Sequence, residues 1–167
     1  MNGSERNLRF IMLKNRLAWL AVLALCLAAP TRADTLRAPD GTRIWYGIEG
    51  NAAGPTLVIL HGGPGWNSSY LRGQLAPMAT FARLVWVDQR ACGRSAVPAD
   101  ARQMSLATHL ADLEALRAHL GLRQWHVWGH SWGGLLAAFY AGRYPESVAS
   151  VVAVAADPPH PRYTPAA

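Results

Sequence analysis

The chain has 167 residues, of which 51% are hydrophobic and 16% charged. That suits one globular domain with a real core and excludes a disordered chain. The formal net charge of +6 marks no nucleic-acid surface, because residues 1–33 hold a surplus of four positive charges and the later arginines are scattered among acids.

At the N-terminus Lys14 and Arg16 precede an apolar stretch, Leu17 to Ala29, that is short for a bilayer span. Thr31-Arg32-Ala33 places small residues at the two positions a signal peptidase reads. The expectation is a signal peptide over residues 1–33, cleaved before Asp34, with a secreted or periplasmic product. An uncleaved leader is a membrane anchor. Met12 begins a more ordinary signal than Met1 does, and Leu25 before Cys26 argues against lipidation. Cleavage leaves Cys92 as the single cysteine, so no internal disulfide can form.

Arg43 to Glu49 is β-prone and bounded by Asp40-Gly41 and Gly50-Asn51, as in a hairpin strand. Thr56 to Leu60 is a short apolar run, the mark of a strand buried on both faces, and it enters the tight loop His61-Gly62-Gly63-Pro64-Gly65. Tyr70 to Phe81 reads as a weak helix broken at Gly73 and Pro77. Leu84 to Val87 is a second buried strand that runs into Asp88-Gln89-Arg90. Ser105 caps a helix carrying Leu106, Leu110, Leu113, Leu116 and Leu120, and Gly121 stops it. Trp125 to Trp128 is a strand, a helix follows to about Tyr144, and Val148 to Val154 reads as a further buried strand. Strands alternating with helices predict an α/β fold with a mostly parallel sheet flanked by helices on both faces.

Between the strand at 125–128 and its helix stands Gly129-His130-Ser131-Trp132-Gly133. Gly-x-Ser-x-Gly in that setting is a nucleophile elbow, which lifts a serine hydroxyl to where a base can take its proton. Ser131 is therefore the candidate nucleophile. The Trp132 N–H, at the positive end of the following helix, faces a developing oxyanion.

The order His-Gly-Gly-Pro-Gly, Asp-Gln-Arg-Ala-Cys-Gly-Arg-Ser, Gly-His-Ser-Trp-Gly-Gly resembles the α/β-hydrolase family, and within it the proline iminopeptidase-like branch, over about residues 40–155. Two positions depart from that branch: Ala91 where it usually has glycine, and an elbow with His130 and Gly134. The resemblance implies a serine hydrolase without cofactor, acting on small peptides or esters. It implies a second oxyanion donor at the Gly63 N–H, with His61, Gly62, Gly129, His130 and Gly133 in support. Asp88 and Arg94 read as a charged pair that pins the neighbouring loop, with Arg90 and Ser95 structural beside them; Asp88 as the acid of a triad is a poorer assignment. Cys92 reads as a small loop or core residue, and His109, His119 and His126 as helix-surface or strand-edge residues. No metal-ligand spacing is present, so no metal site is expected.

In this fold the order is serine, then acid, then histidine. After Ser131 the chain offers Glu146, Asp157 and His160, and Asp157 with His160 is a weak acid and base pair in a proline-rich tail. The expectation is the front half of a hydrolase, truncated before its last strands and cap. The alternatives are an esterase or other small-molecule hydrolase, or a catalytically incompetent fragment.

Overall fold

The computed structural model describes residues 32–156. The leader with Met1, Met12 and Cys26, and the tail with Asp157 and His160, lie outside the described residues. Six strands form one mixed sheet: β1 (Arg32–Arg37), β2 (Arg43–Gly50), β3 (Thr56–Leu60), β4 (Arg83–Val87), β5 (Trp125–His130) and β6 (Val148–Val154), in the order β1-β2-β4-β3-β5-β6. β1 and β2 make an antiparallel hairpin, β2 runs antiparallel to β4, and β4, β3, β5 and β6 are mutually parallel. The hairpin starts earlier than the expected cleavage point: Arg32 and Ala33 pair with Ile48 and Gly47, so that boundary falls inside β1.

Alternate residues of β3 serve the two faces, as a pleated strand requires. Val58 and Leu60 join Val85, Val87 and Val127 under α2 (Leu106–His119) and α3 (Trp132–Arg143), with Leu113, Leu116, Leu136 and Tyr140 buried there. Leu57 and Ile59 join Leu84 and Trp86 on the other face under α1 (Ser69–Leu75), through its Leu71, and under Met78 just beyond it. The stretch predicted as one weak helix is α1 followed by a 3₁₀ turn, Ala76–Thr80. Pro77 sits in the first turn of that segment, where its missing N–H leaves no helical bond unmade.

α2 begins as its sequence predicts: the Ser105 side chain accepts from the Thr108 N–H, and the Thr108 side chain accepts from the Ser105 N–H. It ends at Gly121, whose φ of +67° suits a residue without Cβ. β6 corrects one expectation. It is a strand, but not a buried one: Val152 is 46% exposed, and Val151 and Val154 are exposed as well. β6 is the outer strand of the described sheet; α3 packs along it and Val148 joins the core, but Val151, Val152 and Val154 stay open to solvent.

Candidate active site

β4, β3 and β5 are neighbours and parallel, so their C-terminal ends reach the same edge of the sheet. Leu60, the last residue of β3, stands opposite Val87 of β4 and Gly129 of β5. Residues 61–65, 88–95 and 129–134, separate in the chain, therefore meet there. A crevice at the carboxyl ends of parallel strands is where such sheets bind ligands.

Ser131 sits in the turn from β5 to α3 with φ 52° and ψ −119°. A non-glycine residue in such a conformation costs of order ~1–3 kcal/mol. Its neighbours show why the turn closes only on glycine. A Cβ on Gly129 would lie 2.1 Å from the Gly133 carbonyl oxygen, and one on Gly133 would lie 2.3 Å from the Leu60 carbonyl oxygen. The Ser131 N–H donates to Val154 O at 2.9 Å, which ties the turn to β6. The Ser131 hydroxyl makes no capping bond. Among the described residues the N–H groups of Trp132 and Gly63 donate to nothing and remain available.

The histidines flanking the turn are committed elsewhere. His61 is fully buried; its Nδ1 donates to Gly62 O at 2.8 Å, and its Nε2 accepts from the Gln89 N–H at 3.0 Å. Burial pushes the His61 pKa down, and a neutral ring with both nitrogens engaged is a strut that cannot act as a base. His130 Nδ1 lies 2.8 Å from the Tyr70 hydroxyl, which also accepts from the Gly62 N–H at 2.8 Å.

Gln89 and Tyr70 carry no motif spacing of their own and escape a reading of the sequence. Gln89 lies in the Asp-Gln-Arg block, and only the pairing of β4 with β3 shows what it does. Its Nε2 donates to His61 O and its Oε1 accepts from the Trp132 indole N–H, both at 2.8 Å. His109 is a correction to the surface assignment. It is buried, because α2 packs against α3 and brings its ring edge-on to Trp132 at 6.0 Å; its Nδ1 donates to Ser105 O. His119 and His126 are less buried and bond the Tyr46 and Ser150 hydroxyls.

Asp88 has no solvent exposure and accepts from the Ser68 N–H and hydroxyl and from the Arg94 N–H, Nε and Nη2. Its carboxylate is thereby spent on structure, which removes it as the acid of a triad. Arg94 also stacks 3.2 Å over the Trp45 ring. Cys92 is buried in this loop, and burial pushes its thiol up, away from the reactive thiolate.

Arg90 forks onto Asp112 at 2.8 and 2.7 Å and reaches Asp40 at 2.9 Å. Burial works against ionisation of Asp40, but the Thr42 N–H and Arg90 bring its pKa down to about 2. A carboxyl depressed in the fold stabilises it above the ordinary value and loses that contribution as the pH falls through the folded one. The unfolding free energy is therefore expected to decline between pH 3.8 and about 2. Urea unfolding across that range should show a shallower decline in Asp40→Asn; an unchanged slope would contradict the assignment.

Ala91 has φ 58°, in the region where glycine is at ease. This is the position where the resembling branch carries glycine. Ala91→Gly is expected to raise stability by up to about 1 kcal/mol, the relief of left-handed strain being partly offset by a freer unfolded chain. A loss of stability on thermal or urea unfolding would refute the strain.

The structure thus brings together Ser131, Trp132, Gly63, Gly62, His61, His130, Gly129 and Gly133, with Asp88 and Arg94 fastening the adjacent loop. Among the described residues, no histidine nitrogen bonds the Ser131 hydroxyl.

Residues 55–165 match the profile of the alpha/beta hydrolase fold. The chain is 41% identical over 119 residues to a probable proline iminopeptidase of Streptomyces coelicolor, covering 68% of this chain and 36% of that protein. It is 42% identical over 113 residues to a proline iminopeptidase of Levilactobacillus brevis, covering 65% of this chain and 38% of that one. The chain therefore spans well under half the length of these relatives. Among solved structures, a proline iminopeptidase-related protein from Thermus thermophilus superposes with TM-score 0.70 and 28% identity, over 75% of this chain and 45% of that one. An epoxide hydrolase from an endophytic Streptomyces superposes with TM-score 0.67 and 31% identity, over 74% and 36%. With its sheet order, its strand-to-helix serine turn and these matches in agreement, the chain belongs to the α/β-hydrolase fold family.

Proposed function

We propose that the protein is a serine hydrolase that releases N-terminal proline, or a similar residue, from small peptides through an acyl-enzyme on Ser131. One observation carries this reading. The Ser131 hydroxyl stands unbonded on a strained turn, with the unused N–H groups of Trp132 and Gly63 on the two loops that meet there. The relatives named proline iminopeptidase supply the substrate class.

In the reaction, a base takes the Ser131 proton as Oγ attacks the carbonyl carbon of the N-terminal residue. The carbonyl oxygen becomes an oxyanion, held by the Trp132 and Gly63 N–H groups; one such donor is typically worth ~3 kcal/mol of transition-state stabilisation. Collapse expels the amine of the shortened peptide, which takes up the proton, and water then hydrolyses the ester. Neither His61 nor Asp88 serves as base or acid, since both are saturated by structural bonds. Asp157 and His160, which follow β6 in the sequence, are only weak candidates for acid and base. No metal or cofactor enters these steps. The reading includes export: residues 1–33 act as a signal, which N-terminal sequencing of the mature protein checks.

The test is hydrolysis of prolyl-4-nitroanilide by the full chain, alongside alanyl-4-nitroanilide and 4-nitrophenyl acetate, with fluorophosphonate labelling of Ser131. Release of nitroaniline from the prolyl substrate with labelled Ser131 supports the reading. Cleavage of the ester alone makes the protein an esterase, and absence of both activities and of labelling makes the chain catalytically incompetent; either overturns it.

A further inference from the structure

We propose that Tyr70 is a positioning residue for the Ser131 reaction: bound at once to the Gly62 N–H and to His130 Nδ1, its hydroxyl holds the two oxyanion-binding loops at a fixed separation. This rests on the reading of Ser131 as nucleophile and of the Gly63 and Trp132 N–H groups as oxyanion donors.

The need for such a link follows from the sheet. The β3–β5 ladder ends at Leu60 and Gly129, and beyond it no backbone hydrogen bond joins residues 61–65 to residues 130–133 among the described residues. The two donors lie on those separate loops. Tyr70 spans the gap. Its oxygen accepts from the Gly62 N–H at 2.8 Å and lies 2.8 Å from His130 Nδ1. The arrangement that uses every polar atom has the hydroxyl donating to an unprotonated Nδ1, so that His130 carries its proton on Nε2. Gly62 is the residue before one donor, and His130 the residue before the nucleophile. The loops are close there: a Cβ on Gly62 would lie 3.0 Å from His130 Nδ1 and 3.1 Å from the Tyr70 oxygen. The second connection runs from His61 O through Gln89, but it reaches Trp132 by the indole ring and not by the peptide.

Tyr70 is itself firmly held. Ser68, two residues earlier, is bonded through its N–H and hydroxyl to the buried Asp88, and Leu71 is buried beside it. Edge contacts orient the ring, with Trp66 at 5.0 Å and His130 at 5.8 Å between centroids. The charged block after β4 thus sets where α1 starts, and α1 sets where the hydroxyl lands.

Tyr70→Phe keeps the ring and removes the link. With the substrate that the full chain cleaves best, kcat is expected to fall about ten- to hundred-fold, as sub-ångström to ångström displacements of catalytic groups do. KM is expected to stay within about twofold, and affinity for a boronate transition-state mimic to fall in parallel with kcat. A folded Tyr70→Phe protein with unchanged kcat, or with a raised KM alone, overturns the proposal. Should Tyr70→Phe fail to fold, His130→Ala removes the other end of the link and is read by the same criteria. Where both fold, the double variant is expected to lose no more than the larger single loss, as for residues acting as a unit; additive losses overturn it. One readout needs no turnover: ¹⁵N spectra of the histidine rings should show His130 Nδ1 unprotonated, and a proton there overturns the link. Hydrolysis that survives Ser131→Ala overturns the reading of the site as well, whereas Ser131-dependent hydrolysis with intact kcat in Tyr70→Phe overturns only the role of Tyr70.

Discussion

If Ser131 is the nucleophile proposed above, alanine at position 131 is expected to lower hydrolysis on the order of 10⁴-fold or more, because it leaves no group there to form the acyl-enzyme. The fold should scarcely notice. The Ser131 hydroxyl makes no capping bond, so its removal should move the unfolding free energy by less than about 0.5 kcal/mol. Glycine at the same position makes the control informative. It is equally inactive but free of the penalty that φ 52° imposes on any residue with a Cβ, and it is expected to be more stable than the alanine variant by about 1 kcal/mol. Rates on the best substrate and urea unfolding of the three proteins check both halves. An active alanine variant would remove Ser131 from the mechanism; a glycine variant no more stable than alanine would remove the strain.

Arg90→Met is expected to cost about 3–5 kcal/mol, the usual result of stripping a buried charge of its partner. Arg90 is 1% exposed, and its two bonds to Asp112 leave that carboxylate satisfied inside the protein. The guanidinium also serves the Gln103 and Thr108 carbonyls. Without it Asp112 is a buried anion next to Asp40. Burial already pushes the Asp112 carboxyl up, against the pull of Arg90. Removing Arg90 raises it further, and the group folds best protonated. Stability of the variant should therefore be highest at low pH and decline as the pH rises through the raised value. Arg90→Met with Asp112→Leu removes both charges, and most of the loss should return, since an apolar pair of similar volume is often neutral or better. Urea midpoints of the two variants decide it. A single variant within about 1 kcal/mol of the native protein would refute the cost of the unpaired Asp112.

β6 and His109 show where reading along the chain misleads. Val148 to Val154 is apolar enough to be buried on both faces, and it does form a strand. Whether it is buried depends on what lies over it, and no property of those seven residues contains that. His109 is a polar residue in a helix, and by its type alone it belongs at the surface. It is buried because Trp132, from an element further along the chain, packs against its ring.

What the sequence determined by itself is local. The Ser105 cap and Gly121 stop of α2, the apolar runs of β3 and β4, and Gly129, which a Cβ would drive into Gly133, all act within a turn or two of the chain. For that reason the strands, the helices and the serine elbow could be read in order. The tertiary structure decided what depends on strand order. β3 lies between β4 and β5, so motifs written in the order β3, β4, β5 become neighbours at one edge, with the His61–Gly65 loop in the middle. Tyr70 then meets His130 across 60 residues, Gln89 meets Trp132 across 43, and Arg90 meets Asp112 across 22. No periodicity or cap extends that far; the parallel pairing of the strands, with α1 and α2 packed on the sheet, brings those side chains within hydrogen-bond reach.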